Sequence, residues 1–218
     1  MFAIRASYRG RSRRRGAYVR DVAEALGNSS AVLEERVLSV EDFVCVVPGP
    51  EEAGGVVMSL LQTGEFAIGI GTVAGQDVAS NLDNDLEDLD EDSYAAEVME
   101  EMIGAAGRAL APKQRASTVT VRVEKPGPGG VLAPGKAAEA AEDVAAAFTL
   151  LAHVLSRRTK EGREATALLR AGHLQSEAAE MVGITKQAMS QRLAAAGWQA
   201  EQAGWSLAVH LLARIEET

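Results

Sequence analysis

The sequence predicts an α+β protein, with a ferredoxin-like βαββαβ sheet followed by an all-α helix-turn-helix domain. Three observations carry that expectation. Short β-branched apolar runs alternate with helix-spaced segments through about residue 124. A break rich in Pro and Gly, KPGPGGVLAPGK, fills 125–136. Everything after it has the three-and-four spacing of helices.

The first run, FAI, reads as a strand, and a helix is expected over 20–26. RVLSV and FVCVV flank Glu41 and Asp42, so they form a hairpin with those two carboxylates in its turn. A helix over 51–62, the strand EFAIGIGTV, a helix over 94–110 and the strand STVTVRVE complete this part. The order suits a ferredoxin-like sheet with helices on one face. GIGTVAG contains GxGxxxG, which is not a dinucleotide fingerprint, and it reads as a strand against which another backbone lies closely. Residues 126–136 are then a linker between domains 1–125 and 137–218. In the second domain Val144, Phe148, Leu151 and Leu155 mark a helix burying one stripe.

Charge is uneven along the chain. The 22 Lys and Arg against 31 Asp and Glu give a net −9, so nucleic acid or anionic lipid must be met by a local patch. Seven arginines fall within 5–20 and ten carboxylates within 83–101. The acidic run NLDNDLEDLDED (81–92) repels itself and reads as a solvated loop. Residues 153–218 are near neutral, with eight basic and seven acidic groups, which leaves that half free to approach an anion. The lone Cys45 excludes an internal disulfide, and its apolar setting reads as core. The opening residues lack the apolar segment of a secretory signal, and the longest apolar stretch, 144–155, is short of the ~20 residues a membrane helix needs. A cytoplasmic protein with no membrane insertion is expected.

QSEAAEMVGITKQAMSQRL (175–193) has helix-turn-helix spacing. Ala179 is small where two helices cross, and Gly183 stands at the turn, where a positive φ costs glycine least. Val182, Ile184 and Met189 supply the apolar contacts between the helices. Thr185 is placed to cap the second helix. Lys186, Gln187, Ser190 and Gln191 then face outward, provided Ala188 and Met189 turn inward. Donors and acceptors at the start of such a helix are what major-groove base edges require. Gln175 and Ser176 open the first helix as further candidates. Arg157, Arg158, Lys160 and Arg163 make a local basic cluster, of which Arg157, Arg158 and Lys160, with Arg192 one turn on from the outward face, are placed for phosphate. Trp198 and Trp205 continue in a last helix that packs on this unit or makes a dimer contact. Double-stranded DNA is the expected partner, met by a homodimer over paired half-sites.

The segment RRTKEGREATALLRAGHLQSEAAEMVGITKQAMSQRLAAAGW resembles the DNA-binding segments of MarR-type regulators and of sigma-factor region four, and the whole chain resembles the SatD family. That family joins an N-terminal α/β part to a C-terminal helix-turn-helix, and the resemblance implies DNA binding without naming a target. It also implies an N-terminal part similar to the palm of nucleotide cyclases, where carboxylates on adjacent strands hold metal ions. The departures are specific. Ser7 stands where the first-strand aspartate is expected, and in SVEDF Val40 and Glu41 stand for Gly-Asp. With one carboxylate of the pair absent, Glu41 and Asp42 do not hold two divalent ions, and a degenerate palm with a regulatory or dimerising role is expected.

Arg9, Arg11, Arg13, Arg14 and Arg15 follow the first strand as candidates for an anion or a partner: DNA phosphate, a nucleotide, the acidic 81–92 run, or nothing specific. His153, His173 and His210 lack metal-ligand spacing, and no phosphate loop or nucleophile elbow occurs. The expectation is a non-enzymatic regulator without metal or cofactor. Two alternatives stand beside it: an adaptor that binds a protein, such as a membrane protein's cytoplasmic face, and a nucleotide-binding degenerate palm.

Overall fold

The computed structural model describes residues 1–75, 91–127 and 129–217, without the side chains of 91–93. Their order is β1 (Phe2–Tyr8), α1 (Arg15–Gly27), β2 (Glu34–Val37), β3 (Asp42–Val47), α2 (Pro50–Thr63), β4 (Phe66–Val73), α3 (Glu91–Ala109) and β5 (Val119–Glu124). There follow α4 (Lys136–Ser156), α5 (Lys160–Arg170), α6 (Gln175–Met181), α7 (Lys186–Ala195) and α8 (Trp198–Glu216). The protein is α+β. Its sheet has the order β2-β3-β1-β4-β5, antiparallel except for the β4–β5 pair.

β1 is central because nearly every residue in it is buried. Alternation sends Phe2, Ile4, Ala6 and Tyr8 to one face and Ala3, Arg5 and Ser7 to the other. The first face is covered by α1, α2, α4 and α8 in one continuous apolar core. Pro50 starts α2 where its missing N–H costs nothing, and Gly64 ends it at φ 70°.

The opposite face is not open, which corrects the expectation of helices on one side only. Val98, Met102 and Ala106 of α3 pack there on Ala3, Val44, Val46 and Val73. Gly69 and Gly71 make this possible. A Cβ on Gly71 would lie 2.1 Å from the Ala106 nitrogen, and one on Gly69 would lie 2.4 Å from the Ala106 carbonyl oxygen. The glycine-bearing strand is therefore the seat of α3, as its close-contact reading expected. α3 is fixed further by Arg108, whose Nε and Nη2 donate to Glu124 at 2.8 and 2.6 Å, while Arg122 pairs with the same buried carboxylate.

The segment read as a linker, 126–136, turns back on the sheet instead of separating two cores. The Lys125 N–H donates to the Val131 carbonyl at 2.8 Å, and the Ala133 N–H donates to Val123 at 3.0 Å. Gly127, Gly129, Gly130 and Gly135 take positive φ to allow this tight return. It delivers α4 directly onto β5, so Val144, Phe148, Leu151 and Leu155 join the sheet's core, as do Leu212 and Ile215 of α8. Only α5, α6 and α7 keep a core of their own. Of the acidic run, 81–90 lie outside the described residues, whereas Glu91 and Asp92 belong to α3 and not to a loop. Among the described residues, no helix is long and apolar enough to cross a membrane.

Candidate nucleic-acid interface

The three short helices are set by their ends. Thr159 caps α5, its hydroxyl accepting from the Gly162 N–H at 3.1 Å. Two glycine stops follow with the same geometry. Gly172 (φ 89°) donates to Leu169 and His173 to Leu168, while Gly183 (φ 69°) donates to Glu180 and Ile184 to Ala179. Between them Glu177 turns back to accept from the Leu174 N–H at 2.9 Å. Thr185 caps α7 by accepting from the Ala188 N–H at 3.1 Å. Ala165, Ala178, Ala179, Met189 and Leu193 form the core, with Leu168, Leu169, Val182, Ile184 and Trp198 around it. The alanines let α6 and α7 approach closely, and the side chains around the turn fix their angle.

This places the candidate side chains in two groups. Lys186, Gln187, Ser190 and Gln191 are exposed along α7, whereas Met189 is fully buried and Ala188 half-buried. Gln175, at the start of α6, donates to the Lys186 carbonyl at 3.4 Å, so it, the half-buried Ser176 and the Thr185 cap lie at the α7 N-terminus. Arg157 and Lys160 are exposed near the other end of α7, since a Cβ on Gly162 would lie 3.1 Å from the Ala196 methyl. Arg192, half-buried, lies toward that end.

Arg158 does not belong with them, a correction to its expected phosphate contact. Its side chain is 2% exposed and pairs with Glu201 at 2.5 Å. Its Nε donates to the Ala196 carbonyl at 2.7 Å, and Nη1 reaches the Thr166 hydroxyl at 3.4 Å. Arg170 holds the same Glu201 through three contacts of 2.7 to 2.9 Å and lies over the Trp198 ring, 5.6 Å from its centre. Glu201 is the residue holding this unit together that motif reading missed. It lies in the buried stripe of α8 with Ala208 and Leu212, and a carboxylate on such a stripe is the signal of a buried cationic partner. The network ties α5 and the C-terminal end of α7 to α8, and so to the main core.

At the far end of β1, Ser7 stands opposite Asp42 in the strand register. Glu41 and Asp42 are both engaged by protein groups. Glu41 lies in the 38–41 turn, where Arg15 meets it at 2.9 Å. Asp42 instead opens β3, accepts from the Ser39 hydroxyl at 2.8 Å and lies 3.6 Å from Arg5. Burial pushes the Asp42 carboxyl upward, but hydrogen bonds from Ser7 and Ser39 and the charges of Arg5 and Arg9 hold it below its ordinary value. Arg9 donates to the Gln114 and Tyr8 carbonyls, both at 3.0 Å. Arg11, Arg13 and Arg14 are exposed and carry no ion pair among the described residues. Cys45 is buried in the core, where desolvation and the nearby Glu35 push its thiol up to about 12.

Comparison with protein-family models, with curated proteins and with solved structures finds no match to this chain.

Proposed function

We propose that this chain is a DNA-binding transcriptional regulator, with α6 and α7 as its helix-turn-helix and the sheet as a regulatory or assembly part. The observation that carries the reading is the division of α7. Met189 and Leu193 face inward, while Lys186, Gln187, Ser190 and Gln191 present donors and acceptors outward from a capped N-terminus. Glu177 and Glu180 keep most of α6 away from phosphate, so the DNA-facing surface is α7 with Gln175 and Ser176. Lys160, Lys186 and Arg192 are the phosphate contacts, with Arg157 beyond them. The strand order of β1 to β4 is the one a ferredoxin-like sheet uses, and together with the helix-turn-helix it supports the SatD resemblance.

The test is binding of the full chain to duplexes from the region upstream of its own coding sequence, beside Gln187→Ala/Gln191→Ala. The expected result is preference for one duplex over random sequence, lost in the variant. One observation favours the adaptor as second reading: Leu174 and Met181, at the two ends of α6, are 65% and 59% exposed. A protein-docking surface would weaken on Leu174→Ser/Met181→Ser and ignore the glutamine changes.

A further inference from the structure

The outward side of α4 carries a stripe that is complementary to itself. Glu139, Asp143, Ala146, Leu150, His153 and Arg157 are all exposed and follow one another at alternating steps of four and three, so they run in one line along the helix. Val144, Phe148, Leu151 and Leu155 occupy the opposite side, buried on the sheet. The line is acidic at its start, apolar at its middle and basic at its end. It is also symmetric about position 148: Glu139 and Arg157 stand nine residues either side, Asp143 and His153 five, Ala146 and Leu150 two. At 67% exposed, Leu150 is the most exposed large apolar residue among those described. Leu207 of α8, the helix packed beside α4, is 50% exposed as well. It lies one turn beyond Gly204, where a Cβ would meet Leu151 at 2.8 Å.

We propose that this stripe is the contact between two copies of the chain, with α4 crossing α4 antiparallel about a two-fold axis near position 148. Glu139 then meets the partner's Arg157, Asp143 meets the partner's His153, and Ala146 receives the partner's Leu150, each contact occurring twice as two-fold symmetry requires. A parallel pairing would set acid on acid and base on base, so the charges choose the antiparallel orientation. The line spans roughly 27 Å of helix at 1.5 Å per residue. An acidic start and basic end also suit the dipole of a single helix, but that does not account for a bare leucine beside the centre of symmetry. The assignment gives Arg157 to the partner and not to phosphate. It deepens the DNA-binding reading, resting on it for its purpose of presenting two α7 helices to paired half-sites, while the contact itself needs no DNA.

Sedimentation of the full chain without DNA, over a range of concentrations at low salt, tests the contact. The wild type should reach the mass of two chains. Glu139→Arg/Asp143→Lys and, separately, His153→Glu/Arg157→Glu should each weaken self-association by roughly tenfold or more, because like charges then face across the axis. An equimolar mixture of the two variants should regain the dimer. Circular dichroism establishes that each variant is folded, and Leu150→Lys gives a second route to the monomer that leaves the charges alone. A wild type that stays monomeric at every concentration overturns the proposal. So do folded charge-reversed variants that remain dimeric, or a mixture that fails to recover. A monomer that still selects one duplex would remove this contact and leave the DNA-binding reading standing. A dimer that selects none would do the reverse.

Discussion

Removing one member of a buried charge network leaves the others without counter-charge, and Glu201 holds the central place in such a network here. Glu201→Ala strands Arg158 inside the protein and is expected to cost about 3–5 kcal/mol in urea unfolding, against about 1 kcal/mol for losing the Thr185 cap in Thr185→Ala. The cap loss should also loosen α7 alone, visible as faster amide exchange in its first turn. Glu124 supplies a pH signature. The hydrogen bond from Arg108 first, then that from Arg122, holds its carboxyl below the ordinary value against the opposing effect of burial. Its contribution is therefore complete above the ordinary carboxylate range and is lost as pH falls through the folded value. Urea midpoints of the wild type and Glu124→Gln should differ most near neutrality and converge in acid. Much at this scale was legible in the sequence: the Thr185 cap, the Gly183 turn and the buried Cys45 each follow from residue type and neighbours. Arg158 was not. Beside Arg157 and Lys160 it reads as one more surface cation, and only the carboxylate placed on the apolar stripe of α8 separates it from them.

Elements were readable where one face is apolar and obscure where polarity hides burial. β1 continues through Arg5 and Ser7 to Tyr8, past the apolar FAI, because those polar residues point toward α3 and the hairpin turn. α1 begins at Arg15, well before residue 20, since arginines carry no apolar signal although they favour helix. The Pro and Gly break misled for a different reason. The residues that forbid a helix or a central strand also permit a tight return, and composition does not tell the two apart. The GIGTVAG strand was informative because its glycines are defined by what approaches them. Gly71→Ala should push α3 off the sheet and cost about 1–3 kcal/mol, with Gly55→Ala, which meets nothing within 4 Å, as the control. Equal losses for the two substitutions, read from urea midpoints, would contradict this seating of α3.

For the molecule as a whole, the sheet is a wall covered on both sides, and the small unit of α5, α6 and α7 hangs from it through α4 and α8. The helical half is therefore no independent module: Leu212 and Ile215, close to the end of the chain, sit in the same core as Phe2. The C-terminal end of α7 is joined to the sheet's core through α8 and the Arg158–Glu201–Arg170 network. The sequence placed helices and strands in the right order but not this sharing of one core, because periodicity shows which face of a helix is buried and not against what. The net charge of −9 makes the DNA-binding claim demanding, since attraction must come from a few cations on one side. The most direct measurement is fluorescence anisotropy of the full chain on its preferred upstream duplex across a salt series, with Gln187→Ala/Gln191→Ala beside it. With Lys160, Lys186 and Arg192 on phosphates, log affinity should fall against log salt with a slope of roughly −3 per protomer, and the variant should bind preferred and random duplexes alike. Failure of the folded protein to prefer any duplex over random sequence at low salt, or a preference untouched by the two glutamine changes, would contradict the account.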